Sequence, residues 1–263
     1  MRQGRSISLL FLLVVSVLVS GCATIINPAT GKKEFIMIGT QEEMSIGDQV
    51  AAEVESKFKV SRDEVLIERA GRIGLRIAKV SDRQDLDYHF RVLEDKDPNA
   101  LSTPGGHVYV NSGLMEKAND DELAAVIAHE VGHVAARHSV KAMQANMATS
   151  LVTALAFSTV ETKKEVRQGA AVALNLIMLG YSREDEFEAD KLGIRYAYYA
   201  GFDPDGMVTF LEKLQAQNKS PFDKGLVYLK SHPLYSDRIQ RARAYAAYLK
   251  EYDPSRENPP RKN

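Results

Sequence analysis

The sequence predicts an α+β fold, mainly helical with one small β-sheet, and three observations carry that expectation. Apolar residues recur at helical spacing over long stretches, most clearly at Leu123, Val126, Ile127, Val131 and Val134. Two short runs rich in β-branched and aromatic residues, Tyr88–Leu93 and 106–111, read as strands. From residue 120 onward no further strand pattern occurs, only helix and loop. The 34 basic and 35 acidic residues nearly cancel, which gives no sign of a nucleic-acid partner. One cysteine excludes an internal disulfide.

Taken in order, the chain begins with Arg2 and Arg5 ahead of an apolar run, Leu9–Val19, of about eleven residues with one serine. A bilayer span needs about 20 residues, so 1–21 read as a signal peptide rather than a membrane helix. Residues 22–40 carry turn signals at Asn27-Pro28 and Thr30-Gly31 and read as a tether. The single domain is expected over 41–250. It opens with helices in 41–80, where Ile46, Val50 and Val54 and then Val65, Leu66, Ala70 and Ile73 have helical spacing. Pro104-Gly105-Gly106 is a turn before the second strand.

Asn119 as cap and Glu122 three residues on make a capping box that starts the next helix just before Asp120. Its alanines, Ala124, Ala125, Ala128, Ala135 and Ala136, add propensity. In 141–180 two apolar stretches, Leu151–Val160 and Gly169–Leu179, are separated by Glu161, Lys163, Lys164, Glu165 and Arg167. Neither is long enough to span a bilayer. They read as amphipathic helices that cover the site or pack in the core, with a partner or membrane surface as the other reading. The tail, 251–263, is polar and expected to be flexible.

The chemistry concentrates on the capped helix. His129 and His133 are four apart and share a helical face, with Glu130 beside them. Two imidazoles so placed can hold one divalent metal, and the carboxylate can act as general base toward a water. Polar rings on an otherwise apolar helix need such a reason, because unpaired buried polar groups are costly. A catalytic zinc takes three protein ligands. His138, five residues after His133, would be rotated by about 140° on a continuous helix and reads as a surface or capping residue. Glu186 and Asp190 are again four apart. One can bind the metal while the other accepts the free N–H of a ligating imidazole. Glu184, Asp185 and Glu188 read as a solvated helix face.

The motif His129-Glu130-x-x-His133 followed by Ser182-Arg183-x-x-Glu186-x-x-Ala189-Asp190 resembles the zinc metallopeptidase family of the CAAX prenyl protease and HtpX type. Asn99-Ala100-Leu101-Ser102-Thr103-Pro104-Gly105-Gly106-His107-Val108-Tyr109-Val110, Tyr199-Ala200-Gly201-Phe202-Asp203-Pro204 and Ser231-His232-Pro233 with Arg238 are similar to segments of its periplasmic lipoprotein branch. The likeness runs over roughly residues 40–245 in family order. It departs at Leu101, where the family often has Phe. The resemblance implies a zincin-like metallopeptidase domain binding one Zn2+ through His129, His133 and Glu186, with Glu130 as catalytic base and Asp190 in support. Asn99, Ala100, Gly105 and Gly106 are the expected substrate-binding residues, with the 106–111 strand offering its edge to an extended peptide. His107 reads as structural.

His232 has two readings, a donor to the oxyanion or a resting-state ligand in the fourth zinc position. Arg238 could support either or pair with a carboxylate. Leu18-Val19-Ser20-Gly21-Cys22-Ala23 resembles a bacterial lipobox, which implies lipidation at Cys22. Ala23 after it favours the outer membrane, facing the periplasm. The expected function is hydrolysis of peptide bonds in misfolded or unassembled envelope proteins. The alternative is a latched chaperone or binding module that serves the outer-membrane assembly machinery.

Overall fold

The computed structural model describes residues 23–157, 168–217, 227–234 and 236–252. The signal segment 1–21, Cys22 and the tail from 253 lie outside the described residues. Residues 23–36 correct the expected tether. They form an antiparallel hairpin of β1 (Ala23–Ile26) and β2 (Lys33–Ile36), with Thr24 opposite Phe35. One-sided burial is the cause, since Ile36 and the following Ile38 are buried while Phe35 and Met37 face out. The turn signals at 27–31 were therefore those of a hairpin. Asn27 Nδ2 donates to Glu34 Oε2 at 2.8 Å and to the Ala136 carbonyl at 3.3 Å, fastening the turn to the body.

Helices α1 (Thr40–Lys57) and α2 (Glu64–Ala78) fall within the predicted interval. Asp63 caps α2 by accepting from the Val65 and Leu66 amides. Ala70, Ile73 and Ile77 form its buried stripe, whereas Val65, in the first turn, faces solvent. A three-stranded sheet follows, with β3 (His89–Leu93), β4 (Ala100–Ser102) and β5 (His107–Asn111) in the order β3-β5-β4. β5 runs parallel to β3 and antiparallel to β4, so it is the central strand and has no free edge. The edge expected at 106–111 belongs instead to β4. Between β4 and β5 the 3-10 turn Pro104–Gly106 holds Gly105 at φ 77° and Gly106 at φ 102°, backbone that other residues rarely adopt.

After α3 (Ser112–Lys117) comes α4 (Asp120–Ala135), which starts at the predicted capping box. Asn119 Oδ1 accepts from the Glu122 amide at 2.9 Å, and Glu122 Oε2 accepts from the Asn119 amide at 3.1 Å. Every residue of α4 from Glu122 to Ala135 is buried, so this helix is the axis of the core rather than an amphipathic surface helix. Leu123, Val126, Ile127 and Val131 pack with Ile73 and Ile77 of α2, Val108 and Val110 of β5, and Leu211. Burying each such side chain stabilises the fold by about 1.5–3 kcal/mol.

The remaining helices are α5 (His138–Phe157), α6 (Gln168–Leu179), α7 (Arg183–Tyr199), α8 (Gly206–Gln217), α9 (Val227–Ser231) and α10 (Arg238–Glu251). Ala173, Leu174 and Ile177 of α6 pack with Val50 and Val54 of α1 and with Leu93, Leu101 and Tyr109 of the sheet, which matches the core-packing expectation for that stretch. Among the described residues no helix is long and apolar enough to cross a membrane.

Candidate metal centre

Two helices meet closely enough to join the histidine motif to the acidic motif. A Cβ on Gly193 of α7 would stand 2.8 Å from the His129 amide nitrogen, and one on Gly132 of α4 would stand 3.0 Å from the Ala189 carbonyl oxygen. The two backbones can touch only because both residues are glycine. Ser182 starts α7 with a second capping box, its Oγ accepting from the Asp185 amide while the Asp185 carboxylate accepts from the Ser182 amide. The register so set turns Glu186 and Asp190, one helical turn apart, onto the buried face toward α4.

Four side chains converge there, His129, His133, Glu186 and His232, all buried, with one ligand atom each within 4.8 Å of the others. His129 Nε2 lies 3.0 Å from His133 Nε2 and 3.2 Å from His232 Nδ1. Glu186 Oε1 is 3.1 Å from His232 Nδ1 and 3.4 Å from His133 Nε2. A tetrahedron of nitrogen and oxygen donors about 2.0–2.1 Å from a zinc ion has edges of about 3.4 Å. The observed spacings therefore fit one such ion at the centre.

Two of the four donors, His133 and Glu186, are in the protonation states a metal needs. Burial pushes His133 down to about 3, against the pull of the Glu186 carboxylate, so its imidazole is neutral. Burial opposes ionisation of Glu186, but His232, His133 and Arg238 hold its carboxyl well below the usual range. Neutral imidazole and ionised carboxylate are the forms that bind a metal. Their other ring nitrogens are already engaged. His129 Nδ1 lies 3.0 Å from Asp190 Oδ1, and His133 Nδ1 lies 2.8 Å from His138 Nδ1. An N–H donated outward on each ring leaves Nε2 with its lone pair directed to the centre.

Glu130 stands beside the four donors. Its Oε2 accepts from Ser102 Oγ at 2.8 Å, and its Oε1 is 3.2 Å from His232 Nε2. Burial works against its charge, yet His232 and the two motif histidines outweigh that and hold it down to about 2. The carboxylates Glu186 and Glu130 overcome burial to raise His232 to about 10, so its ring would have to give up a proton before Nδ1 could act as a donor. His232 reaches the site from the short link between α9 and α10, its ring stacked on Tyr228 at 4.6 Å.

Arg238 is buried behind the site and bonds to carboxylates. Its Nε and Nη2 donate to the two oxygens of Asp190, each at 2.8 Å, and Nη1 lies 2.7 Å from Glu186 Oε2. Nη1 also donates to the Pro233 carbonyl at 3.0 Å. With these partners behind Glu186 and Asp190, its position suits support of the cluster rather than contact with a substrate oxygen.

His138 requires a correction. It is buried, not a surface residue, and holds His133. α4 ends at Ala135, and Arg137, at φ 57°, breaks the helix, so the 140° rotation expected of a continuous helix does not apply. Arg137 is pinned by Thr40 Oγ1 at 2.8 Å and Glu43 at 3.1 Å. His138 Nε2 then lies 3.2 Å from Glu188 and 3.3 Å from Asp185, so neither carboxylate is merely solvated. Nothing in Ala135-Ala136-Arg137 signals that break, because no glycine or asparagine marks it. Tyr181, stacked on His133 at 3.9 Å and bonded through its hydroxyl to Ser139, was likewise silent in the sequence.

The expected peptide-binding residues lie on and beside β4, the strand whose Ser102 bonds to Glu130. Ala100 lies on β4, whose other edge is unpaired among the described residues, and the Asn99 carbonyl accepts from the Asn111 amide. Gly105 and Gly106 sit in the buried turn against Met44 and Asp87. His107 pairs with Asp48 at 2.9 Å, away from the four donors, in keeping with a structural role.

The model of peptidase family M48 matches residues 67–246, which include every member of the cluster. The chain is 27% identical over 232 residues to the beta-barrel assembly-enhancing protease of Escherichia coli K12, covering 85% of this chain and 47% of that protein. It is 28% identical over 248 residues to metalloprotease LoiP of the same strain, covering 90% and 95%, and 31% identical over 212 residues to metalloprotease YcaL, covering 76% and 78%. The chain thus spans about half the length of the beta-barrel assembly-enhancing protease it matches. The family match extends over most of the folded body and the histidine and acidic motifs lie within it, so the chain belongs to peptidase family M48.

Proposed function

We propose that this chain is a zinc-dependent endopeptidase of the bacterial envelope that cleaves misfolded or unassembled proteins. One observation carries the reading. Four donors at tetrahedral spacing meet in a buried site beside a carboxylate, Glu130, held by its own hydrogen bond from Ser102. Zinc held by His129, His133 and Glu186 would supply a Lewis acid able to polarise a peptide carbonyl and acidify a water. Asp190, clamped by Arg238, keeps the His129 ring turned with Nε2 inward, and His138 does the same for His133. Glu130, ionised, accepts a proton from the attacking water and returns it to the leaving amine. Ala100 lies on β4, along whose edge an extended peptide would lie, with Asn99 just before the strand and Gly105 and Gly106 in the turn after it. The name of the Escherichia coli relative points to β-barrel assembly, which supports envelope substrates and contact with the outer-membrane assembly machinery here. Lipidation at Cys22 would keep the enzyme on the outer membrane facing the periplasm.

A second reading has its own support. His232 Nδ1 lies near both His129 Nε2 and Glu186 Oε1, at the corner that a catalytic site leaves for water. A resting enzyme latched by His232, acting meanwhile as a chaperone or binding module, fits that position. Casein cleavage by the purified full chain, with and without a chelator and for wild type and His232→Ala, separates the readings. A latch predicts that His232→Ala cleaves faster. An oxyanion donor predicts a loss of about 10²–10³-fold. Cleavage untouched by chelator contradicts the metallopeptidase reading, and no cleavage by either protein favours the binding module.

A further inference from the structure

The outer face of the β1–β2 hairpin is apolar where strand alternation would ordinarily present polar groups to water. Thr24, Ile26, Lys33, Phe35 and Met37 alternate outward, while Ile36 and Ile38 turn inward. Ile26, Phe35 and Met37 remain 65%, 56% and 55% exposed. Met147 on α5, one turn beyond Gln144, is also 56% exposed. Gln144 is itself joined to this strand, accepting from the Met37 amide at 2.8 Å and donating to the Phe35 carbonyl at 3.2 Å. An exposed apolar patch of this kind marks an interaction surface.

The hairpin is fixed to the body. Besides Asn27 and Gln144, Lys141 pairs with Glu34 at 3.2 Å, and Lys32 pairs with Glu188 at 2.6 Å. The sequence just before it indicates what covers the face. β1 begins at Ala23, immediately after Cys22, and the apolar run Leu9–Val19 ends three residues before that cysteine. We infer that this face lies on a phospholipid bilayer, with Ile26, Phe35 and Met37 at the headgroup–acyl boundary and Lys33 toward anionic headgroups. The inference rests on the reading that Cys22 carries a lipid anchor. Because the hairpin touches Ala136 at the end of α4, and through Lys32 touches the Glu188 that holds His138, docking sets the orientation of the metal centre to the membrane.

The chain contains no tryptophan, so a single introduced one reports alone. Full-length Phe35→Trp and Met37→Trp proteins are bound to phosphatidylethanolamine–phosphatidylglycerol vesicles with brominated acyl chains, alongside Val65→Trp, whose site on α2 is 73% exposed. An interfacial apolar face sits about 5–10 Å into the boundary region, so the hairpin tryptophans should shift to the blue and lose about half or more of their emission, with Val65→Trp little changed. Flotation with the vesicles is measured in parallel. If the proteins float but the hairpin tryptophans are quenched no more than Val65→Trp, docking is wrong and the anchor stands. If the full chain does not float, both are wrong.

Discussion

Glu130 is held between a hydroxyl and an imidazole, Ser102 Oγ at 2.8 Å and His232 Nε2 at 3.2 Å, and its depressed pKa keeps it ionised. His138 is the residue whose effect reads most directly on metal binding. Replacing it by alanine frees the His133 ring, and zinc affinity by chelator competition should fall by about 10–100-fold. Unchanged affinity would mean that His138 does not orient His133. Glu188 supports this chain from outside, and its carboxyl, despite partial burial, is held down to about 2 by His138 and Lys32. A depressed carboxyl stabilises the fold above its unfolded pKa of about 4.5, a contribution lost as pH falls toward 2. Glu188→Gln should therefore be less stable than wild type at pH 7, with the gap in melting temperature narrowing below pH 4.5. A gap that does not change with pH contradicts the assignment. At this scale the sequence showed the pairs spaced by four, His129 with His133 and Glu186 with Asp190. It hid His138 and Tyr181, which reach the site only through the break at Arg137 and a stacking contact.

The contact of α4 with α7 decides whether the two motifs form one site. Gly193→Ala would put a Cβ 2.8 Å from the His129 amide, and overpacking of this kind costs about 1–3 kcal/mol. We expect a lower melting temperature together with weaker zinc binding. Loss of neither shows that the helices have room to spare. Both helices were legible, α4 from its capping box and apolar repeat and α7 from the four-residue spacing of Glu186 and Asp190. Their closeness was not, since a glycine inside a helix reads only as a weak point. The hairpin was missed for a related reason. Ala23–Ile36 is too short to reveal its alternation until Ile36 and Ile38 are seen buried and the turn fastened to Ala136 through Asn27. The strand edge was assigned to the wrong strand because pairing order is a tertiary property, and β4 has only three residues.

For the whole molecule, Arg238 is the clasp that fastens α10 to α7 and both to the metal centre. Arg238→Ala leaves Asp190 and Glu186 buried without their cation, and breaking a buried pair in this way costs about 3–5 kcal/mol. Denaturant unfolding should show that loss, and a loss below about 1 kcal/mol would reduce the clasp to an incidental contact. Metal removal acts through the same centre. If zinc is present at 100 times its dissociation constant, binding stabilises the fold by about 2.7 kcal/mol. Chelation should then lower the melting temperature by several degrees and zinc should restore it. The α+β class and the order of the main elements were readable from periodicity. The apolar character of α4 was readable too, but not that it is buried on every side, because which elements surround a helix is a tertiary property.

We propose one metal ion among His129, His133 and Glu186, with Glu130 as the base. Glu130→Gln, purified as the full chain and assayed for bound zinc and casein cleavage together, tests it most directly. We expect one zinc per chain, as in wild type, with cleavage abolished. A variant that keeps its zinc and cleaves as fast as the parent would contradict it.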